Sequence, residues 1–262
     1  MRSLLWWQRL LVALSLGVLV FLYVPIAMLI LFSFNNSKVT SFPLAGFTLR
    51  WYEAFLANGQ MLRALSNSLL VAVTATALCV SIGVVAALAL DRYEFRGKRL
   101  FQNTILLPLS LPGIVTGIAL LNFYKQIGIP QSLLAVVIGH ASALLGIVVS
   151  QVMARLAKIN RRMFEASADL GATPFETFRR VTLPSIRSAI IGSALLCFTL
   201  SFDEIPVTYF LTGREVTLPI YIYSTLRRGI TPEINAIGTL IVVVSFLSII
   251  LSVSLLRERD RP

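Results

Sequence analysis

Apolar residues fall in six long blocks along the chain, with polar and basic segments between them. The blocks cover about 10–34, 65–90, 101–124, 132–153, 186–211 and 234–256. Each is long enough for the roughly 20 residues of helix that a bilayer crossing needs. A soluble core of this length would interrupt such runs with polar faces. The pattern predicts an all-α integral membrane protein with six transmembrane helices, in a single domain over 1–262. Pro108, Pro112 and Gly113 should bend or break the third helix. Broken helices often line transport paths, but proline kinks are also common without that role.

Composition agrees. The chain is 56% hydrophobic and only 13% charged, against about half and a quarter in ordinary soluble domains. A soluble enzyme is excluded. Arg2 and Arg9 precede the first block as they would in a signal peptide, yet the apolar run is too long and no small-x-small site closes it. A retained helix is expected. The net charge of +11 reports orientation rather than nucleic-acid binding, since no polar basic domain is present. With a cytoplasmic N-terminus, sixteen of the 23 basic residues lie inside and seven, including Arg214 and Arg228, outside. Both termini are therefore expected in the cytoplasm. Cys79, Cys197 and His140 sit in apolar runs and read as core residues. No metal-ligand spacing, phosphate loop or nucleophile elbow occurs, so neither a catalytic residue nor a metal site is expected.

The segment of about 155–185 carries the most local information. Asn160 can cap a first helix, and Arg161 and Arg162 lie within side-chain reach of Glu165. Gly171 should close that helix in the left-handed conformation. Thr173, Pro174 and Glu176 spell a capping box that starts the next, and Pro184 should start the fifth span. The small residues Ala166, Ser167, Ala168 and Ala172 would let this turn enter a groove on a partner. A solvated basic loop that only orients the protein fits the same chemistry.

A second constellation, Ser201-Phe202-Asp203-Glu204-Ile205-Pro206, places two carboxylates in an apolar segment. Each costs at least about 2.5 kcal/mol at mid-membrane. Asp203 lies roughly 28 Å along a helix from Pro184, in the outer part of the bilayer. The pair could line a translocation path for a cation. It could equally be structural, facing an arginine such as Arg63 or Arg214, or backbone amides freed by Pro206.

The spacing from Glu165-Ala166 through Gly171 to Leu183-Pro184 resembles the EAA loop of ABC importer permeases. That resemblance implies a type I importer permease fold, and a loop whose coupling helices dock on the ATPase subunit through Glu165, Ala166, Asp169 and Gly171. Residues 47–52, 93–98, 199–204, 218–223 and 232–236 are similar to the C-type permeases of spermidine/putrescine importers. The likeness implies a path along Ser201, Asp203, Glu204, Tyr23 and Trp51. It further implies a second permease subunit in a heterodimer, a periplasmic solute-binding protein, and two ATPase subunits that hold the ATP and Mg this chain does not bind. The protein would sit in the bacterial inner membrane, with no nucleic acid among its partners. Those permeases often carry an acidic residue just after the third-span proline, where this chain has Gly113. An opine or amino-acid-like cargo is the alternative within the class. A stand-alone secondary transporter or channel is the alternative outside it, and a non-transporting scaffold a third.

Overall fold

The computed structural model describes the backbone of residues 2–227 and 232–259, and the side chains of 6–227, 232–244 and 246. Arg228 and Arg261, counted in the charge bias, lie outside the described residues. The chain is helical and separates into two compact units, 1–62 with 222–262 and 63–221.

In the first unit, α1 (Arg2–Ser33) packs along α12 (Pro232–Arg259). Leu29 meets Gly238, where a Cβ would come within 3.1 Å of the leucine. After α1 the chain folds into a short irregular cap that seats α2 (Arg50–Ala57). The Trp51 indole donates to the Asn35 carbonyl at 2.7 Å, and the Asn35 side chain accepts from the Ala45 N–H at 2.9 Å. The Arg50 guanidinium covers the Trp51 ring at 4.2 Å, a cation–π contact.

In the second unit, α6 (Leu133–Leu156) is the central helix, packed by α9 (Leu183–Phe202), α4 (Lys98–Ser110) and α10 (Pro206–Leu211). Its small residues allow this. At Gly146 a Cβ would stand 2.8 Å from the Ile105 carbonyl oxygen, so α4 can cross only a glycine. Cys79 of α3 (Gly59–Arg92) and Cys197 are buried in this core with sulfurs 3.8 Å apart.

Among the described residues, four helices are long and apolar enough to cross a membrane: Trp6–Ser33, Gly59–Arg92, Leu133–Leu156 and Pro174–Phe202. The expected third span divides into α4 and α5 (Gly113–Gln126), which meet at 115°. Pro112 has no N–H to continue the ladder, and the chain turns sharply there rather than kinking. Counted as one, the pair makes a fifth candidate. Where the sixth span was expected, α12 runs helical over 28 residues. The fifth span departs from expectation: its helix begins at Pro174 rather than near 186, and it stops at Phe202 rather than running to Leu211.

Candidate functional site

Two constellations, both in the second unit, carry the predicted residues other than Tyr23 and Trp51. The first is the turn between α6 and α9. Here α7 (Arg162–Asp169) begins where the Asn160 side chain accepts from the Arg162 N–H at 3.1 Å. The chain leaves it through Gly171 at φ +78°. A Cβ there would meet nothing within 4 Å, so the demand for glycine is conformational. Thr173 then caps α8 (Pro174–Thr177). Its hydroxyl oxygen accepts from the Glu176 N–H at 3.3 Å, while Glu176 Oε2 accepts from the Thr173 N–H and hydroxyl, both at 2.9 Å. Those donors, the backbone one foremost and Arg180 in addition, hold the Glu176 carboxyl below the usual carboxylate range. The Ser167 and Thr177 hydroxyls, 2.9 Å apart, clip the two short helices together.

Pro184 does not start a new helix. The chain stays helical from α8 through a π turn (Phe178–Thr182) into α9, with the Leu183 N–H donating to the Phe178 carbonyl. In a regular helix the Pro184 ring would press on the carbonyl four residues back, and the wider turn absorbs it. Arg161 also departs from expectation. It reaches not Glu165 but Asp91 at the end of α3, through two bonds of 2.9 and 2.6 Å. Glu165, Ala166, Asp169 and Gly171 are all exposed. Leu170 and Phe175 beside them expose 88% and 69% of their surface, giving the tip an apolar face. Leu183 and Pro184 lie exposed farther along, past the π turn.

The second constellation is the break in the fifth span. Pro206 cannot donate to Phe202, so the helix ends there and Asp203–Ile205 cross to α10. The Glu204 Oε1 accepts from the Val207 N–H at 3.0 Å, which makes its carboxylate the cap of α10. His140 of α6, 2% exposed, spans the break: its Nδ1 is 2.8 Å from the Ser201 hydroxyl and its Nε2 2.9 Å from the Thr208 hydroxyl. The Thr208 hydroxyl donates to the Glu204 carbonyl at 2.9 Å. It must therefore accept from the histidine, which assigns the hydrogen to Nε2 and leaves Nδ1 to accept from Ser201. A cavity of about 30 Å³ lies among His140, Ser201 and Glu204.

The other broken helix meets this one. A Cβ on Gly113 would stand 3.0 Å from Pro206 and 3.5 Å from the Glu204 carboxylate, and one on Gly117 would stand 2.7 Å from Phe210. The first turns of α5 thus lie against α10, break to break. Asp203 is exposed, Glu204 half-buried and Ser201 buried. Tyr23 and Trp51 belong to the first unit, the tyrosine exposed on α1 and the tryptophan buried on α2. Sequence reasoning placed His140 in the core but did not join it to Ser201. The signal available was Pro206 four residues beyond Phe202, with Thr208 two residues after it.

The family model described as binding-protein-dependent transport system inner membrane component matches residues 79–259, a stretch that holds both constellations. The chain belongs to this family. Relatives include the spermidine/putrescine transport system permease protein PotC of Escherichia coli K12, 36% identical over 92% of this chain and 91% of that one. The putrescine transport system permease protein PotI of the same strain is 37% identical over 92% and 90%. Among solved structures, a bacterial alginate ABC transporter in complex with a pentasaccharide-bound periplasmic protein superposes with a TM-score of 0.72 at 20% identity, covering 95% and 92%. This inner membrane component thus has the fold of a type I ABC importer permease. Its two constellations are a helix–turn–helix that ends in an apolar tip and a pair of broken helices that meet at a carboxylate.

Proposed function

We propose that this inner membrane component moves a polyamine, spermidine or putrescine, inward as the permease of an ATP-driven importer. The likeness to PotC and PotI over 92% of the chain carries the reading. In it, a periplasmic binding protein delivers the solute to a heterodimer of this chain with a second permease, both termini facing the cytoplasm. Two ATPase subunits inside bind ATP and Mg and perform the hydrolysis, and this chain does no covalent chemistry. The turn carrying Glu165, Ala166, Asp169 and Gly171 enters a cleft on an ATPase subunit, where Leu170 and Phe175 supply apolar contact. Leu183 and Pro184 join it to the fifth span, and the unbroken helix from Pro174 to Phe202 is a stiff connection from that turn to the break.

At the break, Ser201, Asp203 and Glu204 line the path. Asp203 offers an exposed carboxylate to an ammonium group, while the Glu204 charge is partly met by the Val207 N–H. Tyr23 and Trp51 enter this proposal through the resemblance alone. One observation favours an opine or amino-acid-like cargo instead: Gly113 supplies no second carboxylate, and the one beside it already caps α10. The two are separated by ATPase stimulation of the reconstituted complex, with its binding protein, across spermidine, putrescine, amino acids and opines. Stimulation by the two polyamines supports the first reading. Stimulation by the other solutes alone ends it.

A further inference from the structure

The turn between α6 and α9 reaches the membrane helices by two routes. One is covalent, from α8 through the π turn into α9. The other concerns α7, which packs mainly on α8 and the π turn and is joined to α6 by a short irregular linker. What ties it to a further span is the Arg161 guanidinium at its start. Nη1 and Nη2 donate to Oδ2 and Oδ1 of Asp91 at 2.9 and 2.6 Å, across 70 residues of sequence. Two parallel bonds fix orientation as well as distance, which a single contact does not. The Asp91 side chain is only 19% exposed, so the acceptor is held at the end of α3 while the arginine reaches to it.

We propose that Asp91 and Arg161 form a strut that makes α7 and α3 move as one body, so that displacement of the Glu165–Gly171 tip reaches the second span as well as the fifth. This rests on the proposal that the tip docks on an ATPase subunit. Both are positioning residues, since neither stands at the solute path. The fork is the essential part: a lysine at 161 supplies charge without the second bond. An ion pair so close to water is of modest strength, and losing it should shift the docked-to-displaced ratio of α7 by about fivefold.

The test uses the complete complex with its ATPase subunits, spin-labelled at Arg92→Cys and Met163→Cys, outside the docking tip, with MgATP as the probe. The wild-type background should give one narrow label distance, equal with and without ATP. Asp91→Asn should broaden it and make it depend on ATP, by about fivefold in the population at the original distance. The exchange Asp91→Arg with Arg161→Asp should restore the narrow distance, which loss of local structure alone would not do. A variant that keeps the wild-type distance in both states overturns the strut. So does a wild-type distance that itself shifts with ATP while the ATPase subunits are bound. If no ATPase subunit co-purifies with the wild-type chain, the docking proposal fails, and the strut with it.

Discussion

A side chain at position 113 would be crowded from its first carbon. Its Cβ would stand 3.0 Å from the Pro206 ring, which cannot rotate away, and 3.5 Å from the Glu204 carboxylate. Gly113→Ala should cost about 1–3 kcal/mol by overpacking, read as a lower unfolding midpoint of the purified protein. Gly113→Asp should cost more, because it adds a like charge beside Glu204. Glu204→Gln in that background should recover the electrostatic part but not the steric part. Full recovery would mean that the close approach is not rigid. His140 tests the same junction from the other side. His140→Ala leaves the Ser201 hydroxyl without its partner and removes the bond that Thr208 accepts, at about 2–3 kcal/mol. A drop under 1 kcal/mol in denaturant unfolding would show that the hydroxyls re-pair with their own helices.

At the scale of elements, the turn was legible and the break was not, for one physical reason. The turn follows rules that act within a few residues: Gly171 takes a positive φ, and Thr173 and Glu176 exchange bonds across three positions. No distant contact is needed to read them. The break at Asp203–Ile205 is decided by Pro206 against a hydrophobic run that continues to Leu211. Apolar continuity alone extends the span past it. Pro206 sets the ending and Glu204 takes the freed Val207 N–H locally, while the tertiary part is His140, which joins the Ser201 and Thr208 hydroxyls across the break. Arg161 failed for the same reason, since its true partner Asp91 is 70 residues away. The capping box carries a pH dependence. The Glu176 carboxyl is depressed by Thr173, so its contribution is complete above the ordinary carboxylate pKa and is lost as pH falls through the lowered value. Amide exchange over 174–180, corrected for intrinsic rates, should show wild type better protected than Glu176→Gln at neutral pH, with the gap closing in acid. At Gly171 a bulky residue must adopt the left-handed conformation. Gly171→Val should leave the complex assembled while ATP hydrolysed per solute imported rises by about tenfold. Normal uptake at normal ATP cost would refute the docking role of this turn.

On the scale of the whole molecule, six apolar blocks say only that the chain belongs in a bilayer, and the basic bias says only which way it faces. Neither distinguishes a driven importer from a channel. The arrangement within the second unit does bear on this. A continuous helix runs from a polar turn with an apolar tip to a break that carries two carboxylates, and a second broken helix closes against that break. A channel needs no such connection to an exposed tip. In proteoliposomes, uptake should therefore require the second permease, the ATPase subunits, ATP and the binding protein together, and this chain alone should conduct nothing. The two carboxylates should then separate. Asp203 is exposed, so Asp203→Asn should depress polyamine uptake severalfold with little change in unfolding midpoint. Glu204 also caps α10, so Glu204→Ala, which removes the acceptor together with the charge, should lower both, the cap alone being worth about 1 kcal/mol. Unchanged uptake in Asp203→Asn would leave the pair a structural device, and a neutral solute would then fit the break as well as a cation.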